Sequence, residues 1–339
     1  MDKFNPNDVG VANGNFFGLP YSLKESEIIL LPVPWDSTVS YGAGTSNGPE
    51  AIINASTQVD LFDEVVQNAW ETRIGTIQID QQLISLNKEC RKIAVKVIDS
   101  LESGEDCDKN LIEKVNKGSQ KINDYVYEQS TKYINVGKIV GVVGGEHSVP
   151  YGLIQALASK NEDFGILHID AHADLREAYE GFTFSHASIM YNVIKNIPQV
   201  STITQVAIRD FCNDEYNLIK NNSKLNSYTD RYISESKFKG DTWLDICNKI
   251  IADLPKKVYI SFDIDGLSPD LCPNTGTPVP GGLSYREVNF ILDLLVKSNR
   301  QIIGFDLCEV GTSNETEWDA NVGARVLFRL CQLAQASNK

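Results

Sequence analysis

The sequence predicts an α/β protein in which helices cover both faces of a mostly parallel central sheet. Short apolar runs rich in β-branched residues recur along the 339 residues, and segments with helical periodicity separate several of them. Strands that alternate with helices are typical of βαβ units and parallel sheets. Strands buried on both faces are nearly continuous apolar runs, as these are.

Seven of the runs are predicted to be strands because each is short and almost entirely apolar. They span residues 28–32, 74–79, 139–143, 165–169, 203–208, 258–262 and 302–307. Helical periodicity predicts helices at residues 90–101, 151–158, 243–251 and 285–297. There is no internal repeat and no linker rich in Pro, Gly or Ser, so one domain is the simplest interpretation.

A longer helix is predicted within residues 111–134. Its apolar residues recur at roughly three-to-four spacing. They are Ile112, Val115, Ile122, Val126 and Tyr133. The simpler interpretation is an added surface helix packed by one stripe, and the alternatives are a contact between subunits or a lid over a site.

Composition limits the partners and the compartment. Acidic residues outnumber basic ones by 45 to 31, a net charge of −14, so binding to nucleic acid is not expected. No apolar stretch is long enough to cross a bilayer, and the N-terminus does not resemble a secretory signal. Seven cysteines are scattered singly, which favours reduced thiols and a cytoplasmic protein.

Asp170, His172 and Asp174 are the strongest chemical signal in the chain, because they are separated by a strict spacing of two. In an extended segment, residues i, i+2 and i+4 project from one face. The three side chains can therefore converge on one point. They directly follow a predicted strand, where open α/β sheets bind ligands.

Asp263, Asp265 and His147 also follow predicted strands, which gives six potential metal ligands. Carboxylates and imidazoles without a thiolate suit Mn²⁺ or a related divalent ion. Six ligands could close the shell of one ion, or be shared by two ions with a water between them. A structural site or a simple polar turn is the alternative.

All four histidines of the chain lie between His147 and His186. His168 precedes Asp170 by two, and a buried histidine beside the ligands or in the core is the favoured interpretation. His186 lies on the loop after Asp174. It could pass a proton to a leaving amine, because imidazole titrates near neutral pH. A surface histidine is the alternative.

Four segments resemble the signatures of the ureohydrolases, the family of arginase, agmatinase and their relatives. They are GGEHS (144–148), HIDAHAD (168–174), SFDIDGLSP (261–269) and TGTPVPGGL (275–283). The segment from Pro34 to Ile52 resembles the family's first strand and loop. The resemblance implies an N-terminal extension over residues 1–26 and one catalytic domain over 27–339, with a helical insertion near 80–135.

The resemblance implies an arginase-like fold of three α/β/α layers and two Mn²⁺ ions per subunit. One ion would be held by His147, Asp170, Asp174 and Asp263, and the other by His172, Asp170, Asp263 and Asp265. Attack of hydroxide on a guanidinium carbon would then give urea and an amine. The family also implies a homo-oligomer, a trimer or a hexamer, and a small cationic guanidino substrate.

Further roles are implied for side chains around these ligands. Glu309 matches the guanidinium anchor, since a carboxylate can accept a forked pair of hydrogen bonds; a surface acid at a strand end is the alternative. His186 matches the proton shuttle and Thr277 a position near the metals. The expected catalytic residues are therefore His186, Glu309 and Asp174. Glu146 departs from the family, which more often has Asp there.

The loop at residues 175–184 bears on the substrate. It is more similar to microbial agmatinase-type sequences than to the polar loop of arginases, so agmatine, cleaved to putrescine and urea, is the expected substrate. Arginase, guanidinobutyrase, guanidine hydrolase and formiminoglutamase activities are alternatives. Arg176 in the pocket would favour a carboxylate tail, and Glu177 or Glu180 an amine tail. Pairing of Arg176 with one of these acids is the simpler interpretation.

Two alternatives belong to other classes. The chain could be an inactive metal-binding scaffold on the same fold, although the six ligands, His186 and Glu309 are all present. It could also be a deacetylase-like amide hydrolase on a related fold. The second ligand set and Glu309 argue against that.

Overall fold

A central sheet of eight parallel strands organises residues 4–339, the part of the chain that the computed structural model describes. The strands are β1 (Ile28–Val33), β2 (Ile74–Thr76), β3 (Ile139–Gly144), β4 (Phe164–Ile169), β5 (Val200–Val206), β6 (Leu225–Tyr228), β7 (Lys257–Phe262) and β8 (Gln301–Leu307). Their order across the sheet is β2-β1-β3-β8-β7-β4-β5-β6. The predicted parallel α/β architecture is confirmed.

Ten α-helices accompany these strands within residues 4–339. They are α1 (Gly48–Ser56), α2 (Gln81–Glu102), α3 (Lys109–Ile134), α4 (Tyr151–Ala158), α5 (Ile189–Asn196), α6 (Asn213–Asn221), α7 (Asp230–Phe238), α8 (Trp243–Ala252), α9 (Tyr285–Lys297) and α10 (Trp318–Ser337). Several helix starts are specified locally. Ser284 and Glu287 form a reciprocal capping box at α9, and Thr242 and Asp245 form another at α8.

The helices form two layers, one on each face of the sheet. Successive strand residues point to opposite faces. Thus Ile28 and Leu30 pack in one core with α1 and α7–α10, whereas Ile29 and Leu31 pack in the other core with α2–α5. The molecule therefore has the three-layer α/β/α arrangement that the resemblance implied.

The region near residues 80–135, where a helical insertion was expected, contains the helical pair α2 and α3, which contact each other on one face of the sheet. Asp80 and Asp108 accept hydrogen bonds from the first turns of α2 and α3, so each helix has an N-cap. The predicted stripe of α3 is buried at Val115, Ile122, Val126 and Tyr133, while Ile112 is half-buried. One-stripe packing accounts for the amphipathic pattern.

Some elements were not predicted. The edge strand β6 is short and only partly buried, so it lacks an apolar run. The C-terminal α10 is buried along most of its length and has no clear polar face, which hides its periodicity. Within residues 4–339, no helix combines the length and apolar character that crossing a bilayer requires.

Candidate metal centre

The candidate ligands follow β3, β4 and β7, which lie near the middle of the sheet with β8 between β3 and β7. His147 comes after β3, Asp170 directly after β4 and Asp263 directly after β7. Glu309 follows β8. The carboxyl ends of parallel strands meet at one edge, so the fold gathers side chains that are up to 162 residues apart in sequence.

The His147 imidazole marks one half of the centre. Its Nδ1 lies 2.9 Å from Asp170 Oδ2, 3.1 Å from Asp174 Oδ2 and 3.5 Å from Asp263 Oδ2. All four side chains are almost fully buried. One nitrogen thus faces three carboxylate oxygens, which is a donor set suited to a divalent cation.

The His172 imidazole marks the other half. Its Nδ1 lies 3.1 Å from Asp265 Oδ2 and 3.5 Å from Asp170 Oδ1. The two oxygens of Asp170 therefore face different imidazoles, Oδ2 towards His147 and Oδ1 towards His172. Asp170 lies between two donor sets.

Backbone hydrogen bonds hold the carboxylates in this arrangement. Asp170 Oδ1 accepts from the His172 N–H at 2.6 Å, and Asp265 Oδ1 accepts from the Ala171 N–H at 3.0 Å. Asp263 Oδ1 accepts from the Asp265 N–H at 2.9 Å. These bonds link the two ligand-bearing segments, so their carboxylates are oriented before any ligand binds.

The crowded carboxylates repel one another. Burial, followed by repulsion from Asp265 and Asp170, raises the pKa of Asp263 well above its ordinary value. Burial and Asp170 raise the pKa of Asp174 to about 6. The contact of Asp174 Oδ2 with His147 Nδ1 at 3.1 Å lacks hydrogen-bond geometry, so this buried oxygen has no hydrogen bond among the described residues. Both effects favour the binding of a cation among these carboxylates.

The imidazoles respond in the opposite direction. Burial opposes the charged form of His172, but Asp265 and Asp170 outweigh it and raise its pKa to about 12. Burial likewise opposes protonation of His147, yet Asp170 and Asp174 raise its pKa well above the ordinary value. Metal ligands must be deprotonated, so bound cations would replace these protons.

A network that the sequence did not predict orients His147. Its Nε2 lies 2.8 Å from Ser261 Oγ, and Ser261 Oγ donates to Asp306 Oδ2 at 2.9 Å. The serine oxygen has used its hydrogen, so it accepts from Nε2–H, and Nδ1 is the nitrogen that would give up its proton to a bound cation. Asp306 interrupts the apolar run of β8, and that interruption is the signal that could have identified it.

His168 is buried, as predicted, and belongs to the cluster. Its Nε2 lies 2.9 Å from Asp170 Oδ2. His168, His147, Asp170 and Asp174 form one group with ligand atoms within 4.8 Å of one another, and Asp170, His172 and Asp265 form another. Both groups contain Asp170, and together they hold five of the six predicted ligands. The sixth, Asp263, contacts the first group through His147.

A cavity of about 170 Å³ opens above these residues. Its walls include His172, Asp174, His186, Thr277 and the rim residue Asp210. The cavity gives a small molecule access to both halves of the centre. His186 and Thr277 both line this cavity.

His186 is half-buried in the cavity wall and begins a short 3-10 helix, His186–Ser188. Thr38 Oγ1 accepts from its backbone N–H at 3.1 Å and lies 3.4 Å from Nδ1. The Tyr179 ring meets the imidazole edge-on, with centroids 5.8 Å apart. Burial and the nearby His172 lower the pKa of His186 to about 3, so the ring is neutral at neutral pH.

Glu309 is buried and adopts a left-handed backbone conformation with φ 60°. Its Oε1 accepts from the His147 N–H at 2.9 Å, whereas Oε2 is buried without a partner among the described residues. Burial and the neighbouring Glu146 raise its pKa well above the ordinary value. Gly276 approaches Oε2 closely enough that a Cβ there would lie 3.2 Å away. Glu309 is not among the residues that line the cavity, and Oε2 is its one carboxylate oxygen without a hydrogen bond among the described residues.

The interpretation that paired Arg176 with Glu177 or Glu180 is wrong. Arg176 lines the cavity and lies over the Tyr179 ring, 4.6 Å from its centroid, with Glu215 3.9 Å away. Glu177 instead pairs with Lys195 on the surface at 3.4 Å. Stacking on the aromatic ring holds the guanidinium away from both loop acids.

Comparison with known proteins gives a consistent result. The model of the arginase family matches residues 26–332. An N(1)-aminopropylagmatine ureohydrolase of Thermus thermophilus is 30% identical over 87% of this chain and 86% of its own length. An agmatinase of Bacillus anthracis is 29% identical over 85% of each chain.

Solved structures show the same fold. The agmatine ureohydrolase of Thermoplasma volcanium superimposes with a TM-score of 0.73 at 20% identity, covering 95% of this chain and 94% of that one. The arginase of Bacillus cereus gives a TM-score of 0.65 at 20% identity, covering 91% and 98%.

Proposed function

Because the chain belongs to the arginase family, we propose that it is a binuclear-manganese amidinohydrolase that cleaves a guanidino substrate to urea and an amine. The single observation that carries the proposal is Asp170, whose two oxygens face two separate imidazole–carboxylate sets. Such a carboxylate is suited to bridging a pair of cations. A site for one ion would not need it in that position.

The proposed ligand sets are those that the family resemblance implies, and the neighbours of His147 Nδ1, together with the grouping of Asp170, His172 and Asp265, support them. We assign one ion to His147, Asp170, Asp174 and Asp263, because three carboxylates surround His147 Nδ1. We assign the other to His172, Asp170, Asp263 and Asp265, with Asp170 and Asp263 as bridges. Oxygen and imidazole donors without thiolate are compatible with Mn²⁺ or a related first-row ion, and Mn²⁺ is the ion that the family resemblance implies.

When bound, the two cations supply Lewis acidity, which lowers the pKa of water and stabilises developing negative charge. The chain itself binds and orients the substrate. Glu309 Oε2 lies in a buried position where it can accept a hydrogen bond from a guanidinium N–H. Since Oε1 is already bonded to the His147 N–H, the anchor offers one free oxygen rather than two.

His186 is assigned the transfer of a proton to the departing amine. It is neutral and half-buried in the wall of the cavity that His172 and Asp174 also line. To donate a proton to the leaving group, the imidazole must first take one up, which burial and the positive charge of a protonated His172 disfavour in the metal-free chain. Thr38 contacts both its backbone N–H and its Nδ1, which fixes the ring against the wall.

We propose agmatine as the substrate, with N(1)-aminopropylagmatine as the second candidate. Both are named in the relatives that match most of this chain. The exposed carboxylate of Asp210 at the cavity rim favours a cationic tail. Arg176 also lines the cavity, but Tyr179 and Glu215 partly offset its charge. We further expect a homo-oligomer in the cytoplasm.

Urea release tests the proposal directly. The Mn²⁺-loaded chain would be assayed with agmatine, N(1)-aminopropylagmatine, arginine and guanidinobutyrate, with bound metal counted in the same samples. We expect one of the two amine-tailed substrates to give the highest kcat/KM, with two metal ions per chain. Two bound ions without turnover of any substrate would favour the inactive scaffold, and preference for arginine would refute the substrate assignment.

A further inference from the structure

Gln205 on β5 contacts the metal centre through one intervening histidine. It is the register partner of His168 on β4, and both side chains are fully buried. Gln205 Nε2 lies 3.0 Å from His168 Nδ1 and 2.8 Å from the carbonyl oxygen of Ala173. His168 Nε2 in turn lies 2.9 Å from Asp170 Oδ2. The amide, the imidazole and the carboxylate form a continuous line.

The direction of each hydrogen bond follows from chemistry alone. A backbone carbonyl can only accept, so the amide nitrogen of Gln205, not its oxygen, must face Ala173. The same nitrogen then presents its second hydrogen to His168 Nδ1. The amide oxygen is buried without a partner among the described residues, and a flipped amide would place it against the Ala173 oxygen instead.

The orientation of the amide determines where His168 carries its hydrogen. Because Gln205 donates to Nδ1, that nitrogen must be bare and accept. The hydrogen of the neutral ring therefore resides on Nε2 and is donated to Asp170. Asp170 Oδ2 therefore accepts a hydrogen bond from the Nε2–H of His168.

We propose that Gln205 is a positioning residue that fixes the His168 tautomer with hydrogen on Nε2 and thereby holds Asp170 as the shared ligand of the two metal ions. The hydrogen bond from Gln205 to the Ala173 carbonyl also helps to position proposed ligands, because Ala173 lies between His172 and Asp174 in the chain. The tautomer itself is independent of the assigned activity, whereas the metal-binding part rests on the proposed function.

Isotope-edited NMR of the full chain reads the tautomer directly. With only four histidines in the sequence, the imidazole nitrogens of His168 can be identified by loss of their signals in a His168→Gln variant. We expect His168 at neutral pH to be protonated at Nε2 and bare at Nδ1. Hydrogen on Nδ1, alone or on both nitrogens, would overturn the proposal.

Two variants of Gln205 test the effect on the metals. Gln205→Glu keeps the shape of the side chain but replaces the amide donor by a carboxylate acceptor. His168 Nδ1 must then carry a hydrogen. The His168 ring either loses the hydrogen on Nε2, so that a lone pair faces Asp170, or becomes a cation. Gln205→Met keeps the approximate volume and leaves Asp170 to select the tautomer. We expect Mn²⁺ binding, measured by the paramagnetic resonance of free Mn²⁺, to weaken roughly 10- to 100-fold in Gln205→Glu and much less in Gln205→Met. The reverse order would indicate a packing role and contradict the proposal.

A second pair of variants tests the proposal independently, in case Gln205→Glu does not fold. His168→Gln can present an amide N–H near the position of Nε2, whereas His168→Phe retains a ring without a donor. We expect His168→Gln to retain more Mn²⁺ affinity than His168→Phe, and equal losses would contradict the proposal. If the tautomer and affinities are as expected but no urea is released, the proposed function fails while the role of Gln205 stands.

Discussion

At the scale of single residues, the main feature of the candidate metal centre is a group of buried carboxylates that repel one another. Asp263 is the member whose pKa is raised well above normal by burial and by its neighbours Asp265 and Asp170. Its two oxygens have different contacts: Oδ1 accepts a hydrogen bond from the Asp265 N–H, and Oδ2 faces His147. Removing this side chain therefore affects both halves of the centre.

We expect Asp263→Ala to lose more than about 100-fold in kcat and to bind fewer than two Mn²⁺ ions. The reason is that replacing a residue that only contacts a metal ligand already lowers metal affinity or activity roughly 10- to 100-fold, and Asp263 is itself an assigned ligand. Urea release and metal analysis would be compared with Asp163→Ala, an exposed aspartate beside β4. Near-normal turnover with two bound metals would refute the ligand assignment.

His186 should behave differently, because it contacts Thr38 and Tyr179 rather than the carboxylates. We expect His186→Ala to lower kcat by roughly 10²- to 10⁴-fold, the usual contribution of a positioned acid or base. Metal analysis should still find two ions per chain. A loss of metal would identify His186 as a ligand and exclude the shuttle role.

Protons and metal ions compete at the imidazoles. In the metal-free chain the pKa of His172 is raised to about 12 and that of His147 well above normal, so both hold protons at neutral pH. Cations must displace these protons, and Mn²⁺ affinity should therefore rise with pH between about 6 and 8. Calorimetry in buffers of different ionisation enthalpy should detect a net release of protons when Mn²⁺ binds. Binding without proton release would contradict the assignment.

At the scale of elements, the sequence predicts the ligand-bearing segments better than their partners. The spacing of Asp170, His172 and Asp174 after an apolar run is a local pattern, so it can be recognised without the fold. Asp306 and Gln205 act only across neighbouring strands, through Ser261 and His168 respectively. Their roles depend on strand order and register, which local periodicity does not contain.

The helical pair α2 and α3 also shows that local periodicity does not predict tertiary contacts. Its periodicity predicts α3, yet its contact with the loop near the cavity depends on the tertiary fold. Asn116 on α3 donates to the Gly181 carbonyl at 3.2 Å and accepts from the Thr183 N–H at 2.9 Å. Phe182 between them is fully buried against α2 and α3. The helical pair thus supports the loop that leads to His186.

We expect Asn116→Ala to lower the free energy of unfolding by about 1–3 kcal/mol, since it removes two hydrogen bonds. Hydrogen exchange should increase in residues 179–186 while exchange in β4 and β7 is unchanged. Lys114→Ala, at an exposed site on the same helix, is the matched control. Equal exchange in both variants would show that α3 does not support the loop.

At the scale of the whole molecule, strand order creates the site. The adjacency of β3, β8, β7 and β4 places four strand ends side by side, although β8 is the last strand in sequence. The parallel sheet was predictable from the alternation of apolar runs with helical segments, whereas the strand order is not contained in that local pattern. The edge strand β6 lies outside this group and was also the strand that the sequence did not reveal.

Anomalous scattering from crystals of the Mn²⁺-loaded chain, recorded on both sides of the manganese absorption edge, tests the central claim most directly. We predict two manganese peaks in each subunit, about 3.5–4 Å apart. One should lie beside His147 Nδ1 and the other beside His172 Nδ1, with Asp170 and Asp263 touching both. A single peak, or two peaks that share no carboxylate, would contradict a binuclear centre.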